Sequence, residues 1–225
     1  MNPLPAAVLF DLDGTLIDHF QVIYRCYCYA LEKLGLPRVS FEQVKAAVGG
    51  SVSVTMGKLI PAEYVDEAVR LFRERYDEIW KEDIIVLPGV RALVEHFHDK
   101  GVLQGMLTNK EGNNARRLAA EVGLDAYLDP IIGTLDTEYR KPQPELVQYT
   151  LEQLGATADE TVFIGDSPYD FQTARNGGLK CYLAATGSHT VEQLQAETEA
   201  DGIFTDMVEL AREVWGIELP AEVSA

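Results

Sequence analysis

Short apolar runs that stop at polar residues recur along this chain, and stretches with helical periodicity separate them. The first run is Val8-Leu9-Phe10, which ends at Asp11. Further runs of the same form are Val102 to Leu107, Ile131-Ile132, Val162 to Ile164, and Cys181 to Leu183. Strands that alternate with helices favour a parallel sheet covered on both faces. We therefore predict an α/β fold with a doubly wound parallel sheet, a Rossmann-like core.

Apolar stripes at helical spacing lie between these runs. One stripe extends from Val90 to Phe97, a second from Ala115 to Val122, and a third from Val147 to Leu154. Gly123 and Gly155 follow the second and third stripes, at the position where a glycine commonly ends a helix. These stretches are predicted to be the crossover helices of the sheet.

Residues 17–85 break this alternation, because the pattern there is helical and contains no convincing buried strand. Ser40 and Gln43 have the spacing of a capping box, and a long amphipathic pattern runs from Val65 to Ile79. Pro88-Gly89 marks the return to the alternating pattern. We predict a helical cap domain of residues 17–85, inserted into a core domain of residues 1–16 and 86–225.

The composition excludes several classes of partner and location. A formal net charge of −17 opposes binding to nucleic acid or to an anionic membrane surface. No apolar run reaches the roughly 20 residues of a membrane span, and the N-terminus lacks the pattern of a signal peptide. Cys26, Cys28 and Cys181 lack disulfide-framework spacing, which suits a reducing compartment. We expect a cytoplasmic monomer or homodimer.

Polar residues that follow the predicted strands are the candidates for chemistry, since ligands bind outside the carboxyl ends of the strands in such sheets. Carboxylates packed closely there repel one another unless a cation neutralises them, and oxygen ligands favour a hard ion, of which magnesium fits best. A hydroxyl and an ammonium group are suited to hold phosphate oxygens. The candidates are Asp11, Asp13, Thr108, Lys141, Asp166 and Asp170, and Asn109 is either a turn former or a further phosphate contact.

These residues resemble the four motifs of the haloacid dehalogenase-like hydrolases, in the branch similar to phosphoglycolate phosphatase. The matching segments, in chain order, are Asp11-Leu12-Asp13-Gly14-Thr15, Leu107-Thr108-Asn109, Lys141-Pro142, and Gly165-Asp166 with Asp170. Four motifs in the right order make the resemblance specific, and it extends over nearly the whole chain. The helical insert after Thr15 looks like the family's cap, which closes over the substrate.

The resemblance implies a role for each of these positions. Asp11 is expected to be the nucleophile that forms an aspartyl-phosphate, and Asp13 to protonate the leaving oxygen and then activate water. Magnesium is expected to bind the Asp11 side chain, the Asp13 backbone carbonyl and Asp166, with Asp170 supporting the metal site. The residues expected to bind the substrate are Thr108, Asn109 and Lys141.

We therefore expect a magnesium-dependent phosphoric monoester hydrolase, a phosphatase acting on a small ester such as 2-phosphoglycolate. Three alternatives stay open: a phosphomutase similar to beta-phosphoglucomutase, a phosphonate-cleaving relative that uses Lys45 or Lys58, and a silent binding protein on the same fold. A dehalogenase would not need Asp13, which argues against that activity.

Two features outside the motifs have open interpretations. His19 stands where similar proteins usually carry a small hydroxyl residue, and we interpret it as a solvated hinge histidine. Gly49-Gly50-Ser51 is either a break between cap helices or a loop that reaches over the substrate, with Lys58 as a nearby contact for an anion. Ser167 is expected to cap the helix that contains Asp170.

Overall fold

A six-stranded parallel sheet forms the centre of the computed structural model, which describes residues 2–219. Its strands are β1 (Ala7–Phe10), β4 (Leu103–Glu111), β5 (Ile131–Thr134), β6 (Thr161–Gly165), β7 (Lys180–Ala184) and β8 (Gly202–Phe204), in the spatial order β5-β4-β1-β6-β7-β8. Two shorter strands, β2 (Ile17–Asp18) and β3 (Ile85–Val86), pair antiparallel in a second sheet.

Ten α-helices and two short 3-10 helices occur in residues 2–219. The α-helices are α1 (Phe20–Lys33), α2 (Phe41–Ala47), α3 (Val52–Leu59), α4 (Val65–Ile79), α5 (Val90–Asp99), α6 (Gly112–Glu121), α7 (Pro144–Leu154), α8 (Pro168–Gly177), α9 (Val191–Glu197) and α10 (Met207–Trp215). None of the helices in this part of the chain combines the length and apolarity needed to cross a lipid bilayer.

Strand β1 is buried on both faces, which explains its continuous apolar sequence. Successive side chains of a strand point to opposite faces. Val8 and Phe10 accordingly pack with apolar residues of α5, α6 and α10 in one cluster, while Ala7 and Leu9 pack with residues of α7, α8 and α9 in another. Helices therefore cover both faces, and the predicted doubly wound parallel sheet is confirmed.

Helices α1 to α4 lie between β2 and β3 along the chain and have a hydrophobic cluster of their own. Tyr27, Met56, Phe72 and Tyr76 belong to it, and Trp80 packs against both this cluster and the core cluster that contains Phe10. The Ser40–Gln43 capping box is present, with the Gln43 N–H donating to Ser40 Oγ at 3.2 Å. We call residues 17–85 the helical insert.

The structure differs from the sequence expectations at the ends of several strands. Strand β4 continues through Thr108 and Asn109 to Glu111, with a register irregularity between Leu107 and Glu111, whereas the sequence predicted that it would end at Leu107. Polar residues fit there because this end of β4 faces the helical insert rather than the core. Strand β8 was not predicted, because three half-buried residues produce no distinct apolar run.

Candidate active site

The candidate residues meet where the strand order reverses around β1. Strand β1 lies between β4 and β6, so the carboxyl ends of these three strands open into one crevice. Asp11 follows β1, Thr108 lies near the end of β4, and Asp166 follows β6. All three side chains are buried beneath the helical insert and line a recess of about 340 Å³.

Lys141 links two of the carboxylates. Its ammonium Nζ lies 2.9 Å from Asp11 Oδ1 and 2.7 Å from Asp170 Oδ1, and all three side chains are at least nine-tenths buried. Burial lowers the pKa of Lys141, but the negative charges of Asp11 and Asp170 outweigh that effect and hold the pKa above its usual value. Lys141 is therefore a charged group at the base of the crevice.

Three buried carboxylates form a cluster that could hold a metal ion. Asp11, Asp166 and Asp170 each place one oxygen within 4.8 Å of the others. Burial raises the pKa of Asp11 to about 6, and burial together with the charges of Asp170 and Asp11 raises the pKa of Asp166 well above its usual value. One lysine faces three carboxylates, so the donor set carries an excess of negative charge that suits a divalent cation.

Asp170 is oriented by the first turn of α8. Its Oδ2 accepts hydrogen bonds from the Asp166 N–H at 3.1 Å, the Ser167 N–H at 3.0 Å and the Ser167 hydroxyl at 2.7 Å. These bonds leave Oδ1 for Lys141. Ser167 thus precedes the helix as expected. The Asp170 carboxylate accepts hydrogen bonds at the start of α8 through Oδ2 and contacts Lys141 through Oδ1.

Two glycines make room for the Asp166 carboxylate. A Cβ on Gly14, whose φ is +89°, would lie 2.8 Å from Asp166 Oδ2, and a Cβ on Gly187 would overlap that carboxylate. The Ser188 N–H donates to Asp166 Oδ2 at 3.2 Å. The loop after β7 therefore cradles Asp166, a contribution that the sequence motifs did not indicate.

Asp13 forms a second charged pair, with Lys110. Lys110 Nζ lies 2.9 Å from Asp13 Oδ2 and 3.1 Å from Asp13 Oδ1. The Asp13 carboxylate does not belong to the three-carboxylate cluster, so its expected contribution to a metal through the backbone carbonyl stays a prediction. Lys110 was not among the predicted site residues, although it lies two residues after Thr108 on β4.

Thr108 and Asn109 occupy different positions at the end of β4. Thr108 lines the recess that contains Asp11. Asn109 also lines the recess, and its side chain joins two segments to β4: its Oδ1 accepts from the Lys141 N–H at 3.0 Å, and its Nδ2 donates to the Gly49 carbonyl at 2.8 Å. Asn109 therefore positions Lys141 and connects the sheet to the helical insert.

The Gly49-Gly50-Ser51 segment contacts the sheet directly. Gly49 and Gly50 line the recess, whereas Lys45 and Lys58 are not among its lining residues. Lys58 Nζ donates to the Ala47 carbonyl at 3.2 Å. Gly49 and Gly50 therefore lie over the recess, which agrees with one of the two interpretations, but Lys58 is not beside them in its lining.

His19 is fully buried, so its interpretation as a solvated residue was wrong. Its ring packs edge-on against Tyr76 with centroids 5.8 Å apart, and neither ring nitrogen has a hydrogen-bond partner among residues 2–219. Burial lowers the pKa of His19 to about 4, from an ordinary value of 6.5. The start of the helical insert therefore contains a histidine that is neutral in the folded protein near neutral pH.

This burial predicts a loss of stability in mild acid. Below pH 6.5 the unfolded chain protonates His19, whereas the folded protein resists protonation down to about pH 4. The free energy of unfolding should therefore fall across that window, by on the order of 3 kcal/mol in total from this residue. Urea unfolding of the native protein and His19→Phe at about pH 7 and about pH 5 measures this difference.

The exposed His98 provides a control for that measurement. His98→Phe should keep the pH dependence that His19 contributes, because it leaves His19 and its surroundings unchanged. His19→Phe should remove the contribution of His19 to the slope between the two pH values. Equal slopes for native protein and His19→Phe would contradict the assignment.

Comparison with known proteins identifies similar sequences and folds. The family model described as haloacid dehalogenase-like hydrolase matches residues 8–184. A phosphoglycolate phosphatase from Pseudomonas syringae pv. tomato is 30% identical over 206 residues, which are 88% of this chain and 75% of the relative. A phosphoglycolate phosphatase from Aquifex aeolicus is 30% identical over 180 residues, 80% of this chain and 84% of the relative. A haloacid dehalogenase-like hydrolase structure from Streptococcus pneumoniae has a TM-score of 0.84 at 20% identity, covering 93% of this chain and 98% of that one.

Proposed function

The chain belongs to the haloacid dehalogenase-like hydrolases, as its four motifs predicted, and we propose that it is a magnesium-dependent phosphatase of a small organic phosphate monoester. The observation that carries the proposal is the placement of Asp11, which lies at the reversal of strand order and 2.9 Å from Lys141 Nζ. The phosphatase names of its relatives support the reaction class.

In the first step, an Asp11 carboxylate oxygen attacks phosphorus and forms the new phosphorus–oxygen bond of an aspartyl-phosphate. The ester bond to the alcohol breaks, and Asp13 donates its proton to the departing oxygen. Thr108 and Lys141 lie beside Asp11, where a hydroxyl and an ammonium group stabilise charge on the phosphate oxygens. Lys110 holds the Asp13 carboxylate in place.

In the second step, water attacks the phosphorus of the aspartyl-phosphate while Asp13 accepts a proton from that water. The bond to Asp11 breaks, inorganic phosphate leaves, and the Asp11 carboxylate is restored. Water must reach phosphorus only after the alcohol has left, so the helical insert above the recess would exclude bulk solvent in the first step.

The residues present fit magnesium. The oxygen-only donor set, its excess negative charge and the space that Gly14 and Gly187 leave around Asp166 all suit a small, hard divalent ion. Asp11, Asp166 and the Asp13 backbone carbonyl would hold it, with Asp170 supporting the site. When bound, magnesium supplies positive charge that offsets the carboxylates and the phosphate oxygens.

We also propose that the chain acts as two units, a core of residues 1–16 and 86–225 and a cap of residues 17–85. The separate hydrophobic cluster of the helical insert supports this division, as does the β2–β3 pair through which the insert leaves and re-enters the core. The hydrogen bond from Asn109 to Gly49 would then link the two units when the cap is closed.

Removal of divalent cations is expected to lower kcat by at least about 100-fold, because the three buried carboxylates would oppose both an anionic substrate and the ionisation of Asp11. The measurement is phosphate release before and after treatment with a strong chelator. Added magnesium should restore the rate, and chelator saturated with magnesium beforehand is the control. Full activity in excess chelator would rule out the metal assignment.

A panel of phosphate esters tests the function itself. Phosphate release with magnesium should occur for small monoesters, with 2-phosphoglycolate as the first ester to test because relatives carry its name. A phosphomutase would instead return phosphate to a sugar phosphate, so isomerised product without released phosphate would favour that activity. Absence of both reactions would leave the binding-protein alternative.

A further inference from the structure

A larger chamber adjoins the recess that contains Asp11. It lies between the helical insert and the sheet. The residues that line both spaces are Asp13, Val48, Gly50, Asn109 and Lys110. A phosphorus atom beside Asp11 would therefore direct its leaving group past Asp13 into this chamber, since Asp13 is the group proposed to protonate the leaving oxygen.

The wall of the chamber on the side of the helical insert is mainly apolar and aromatic. The apolar and aromatic side chains that line it are Ile23, Tyr27, Val48, Val52, Phe72 and Tyr76. Most of them belong to the hydrophobic cluster of the insert or pack against it, so they are held in place by the folding of the insert itself. Such a wall favours an alkyl or aryl group over a strongly hydrated one.

Each cation that lines the chamber within residues 2–219 already has a carboxylate partner. Lys110 is paired with Asp13 at 2.9 Å. Arg73 of α4 places Nε 2.6 Å from Glu111 Oε1, at the end of β4. The formal charges of these four groups cancel. A carboxylate brought into the chamber would lose water without gaining a free cation, which is unfavourable.

The chamber continues outward beyond the Arg73–Glu111 pair. A neighbouring groove shares Val52, Arg73 and Glu111 with it and extends to Leu135. Leu135 is 73% exposed, which is unusual for a large apolar side chain beside an opening. The groove is otherwise lined mainly by polar side chains such as Ser53, Thr137 and Arg140, so the apolar part of a leaving group would end within the chamber.

We propose that the leaving group of the substrate is an uncharged, largely apolar alcohol, alkyl or aryl, and that the Arg73–Glu111 pair sets this preference. Glu111 neutralises Arg73, which would otherwise attract a carboxylate on the leaving group. The proposal rests on the proposed phosphatase function and narrows its substrate class. It places 2-phosphoglycolate, whose leaving group carries a carboxylate, among the poorer substrates.

The first test compares kcat/KM for hexyl phosphate and 2-phosphoglycolate with the native protein and magnesium. Each methylene group that enters an apolar pocket strengthens transition-state binding. The kcat/KM for hexyl phosphate should therefore exceed that for 2-phosphoglycolate by at least about tenfold. Phenyl phosphate should behave like hexyl phosphate. A preference for 2-phosphoglycolate over both esters would overturn the proposal.

The second test changes the ion pair. Glu111→Gln keeps the size of the side chain but leaves the Arg73 charge without its carboxylate partner. The ratio of kcat/KM for hexyl phosphate to kcat/KM for 2-phosphoglycolate should therefore fall about tenfold. Glu78→Gln is the matched control, because Glu78 pairs with Arg75 at 2.6 Å on the same helix and does not line the chamber. That variant should keep the native ratio.

The outcomes separate this proposal from the function on which it rests. Asp11-dependent hydrolysis with a native preference for 2-phosphoglycolate overturns the substrate class and retains the phosphatase. A kcat/KM ratio that Glu111→Gln leaves unchanged overturns the role of the Arg73–Glu111 pair. Lack of turnover with every ester, or turnover that survives Asp11→Asn, overturns both. Because Arg73 and Glu111 are both partly exposed, the Glu111→Gln variant is expected to fold, and thermal unfolding confirms that it does.

Discussion

Asp11→Asn is expected to reduce kcat for every phosphate ester by at least about a thousandfold. An amide is a poor nucleophile, so the bond from Asp11 to phosphorus cannot form. The fold should survive, because the amide has nearly the same shape and Lys141 keeps its 2.7 Å contact with Asp170. Phosphate release under saturating substrate and magnesium measures the loss.

A matched control distinguishes this effect from a general loss of acidic charge. Asp125 is exposed on the surface, and Asp125→Asn should leave kcat at the native value. Mass spectrometry of the native protein quenched during turnover should show added phosphate on the peptide that contains Asp11, and the Asp11→Asn variant should show none. A variant with native kcat would exclude Asp11 as the nucleophile.

Lys141→Met is expected to destabilise the protein by about 3–5 kcal/mol, because it leaves buried carboxylates without their ammonium partner. Lys141 is about 1% exposed and contacts both Asp11 and Asp170, so little water is available to compensate for its loss. Activity should also fall by about 100-fold or more, since the charge beside the phosphate oxygens disappears. Urea unfolding in chelator and phosphate release in magnesium measure the two effects.

Two further variants test the cause of that destabilisation. Lys180 is exposed, and Lys180→Met should change the free energy of unfolding by less than about 1 kcal/mol. The double variant Lys141→Met with Asp170→Asn should recover part of the loss, because it removes one uncompensated charge while retaining an acceptor for Ser167. A double variant less stable than Lys141→Met alone would contradict the electrostatic explanation.

The strands around the site were predictable because local sequence decides them. Val8-Leu9-Phe10 is continuously apolar since β1 is covered on both faces, and an abrupt change to Asp11 marks its end. The same reasoning located β5, β6 and β7 to within two residues at either end. It missed β8 and the β2–β3 pair, which are too short to create a pattern and exist because a neighbouring strand supplies their hydrogen bonds.

The pairing of charges was less predictable than the presence of the charged residues. The motifs drew attention to Asp13, but its contact with Lys110 joins residues 97 positions apart. The hydrogen bonds of Asn109 were equally hard to predict, because its partners Gly49 and Lys141 lie 60 and 32 positions away along the chain. His19 was misjudged because its burial depends on the packing of Tyr76 and the rest of α4, which no local pattern records.

Local sequence was enough to predict the alternation of strands and helices, the helical character of residues 17–85 and the carboxylates that follow the strands. These properties follow from the periodicity of apolar residues and from the abrupt change to polar ones. Folding sets three features that no local pattern predicts: Lys141 bridges Asp11 and Asp170, Lys110 pairs with Asp13, and each cation that lines the chamber within residues 2–219 has a carboxylate partner. The physical reason is that hydrophobic periodicity acts between near neighbours, whereas an ion pair depends on distances of about 3 Å between residues that folding alone brings together.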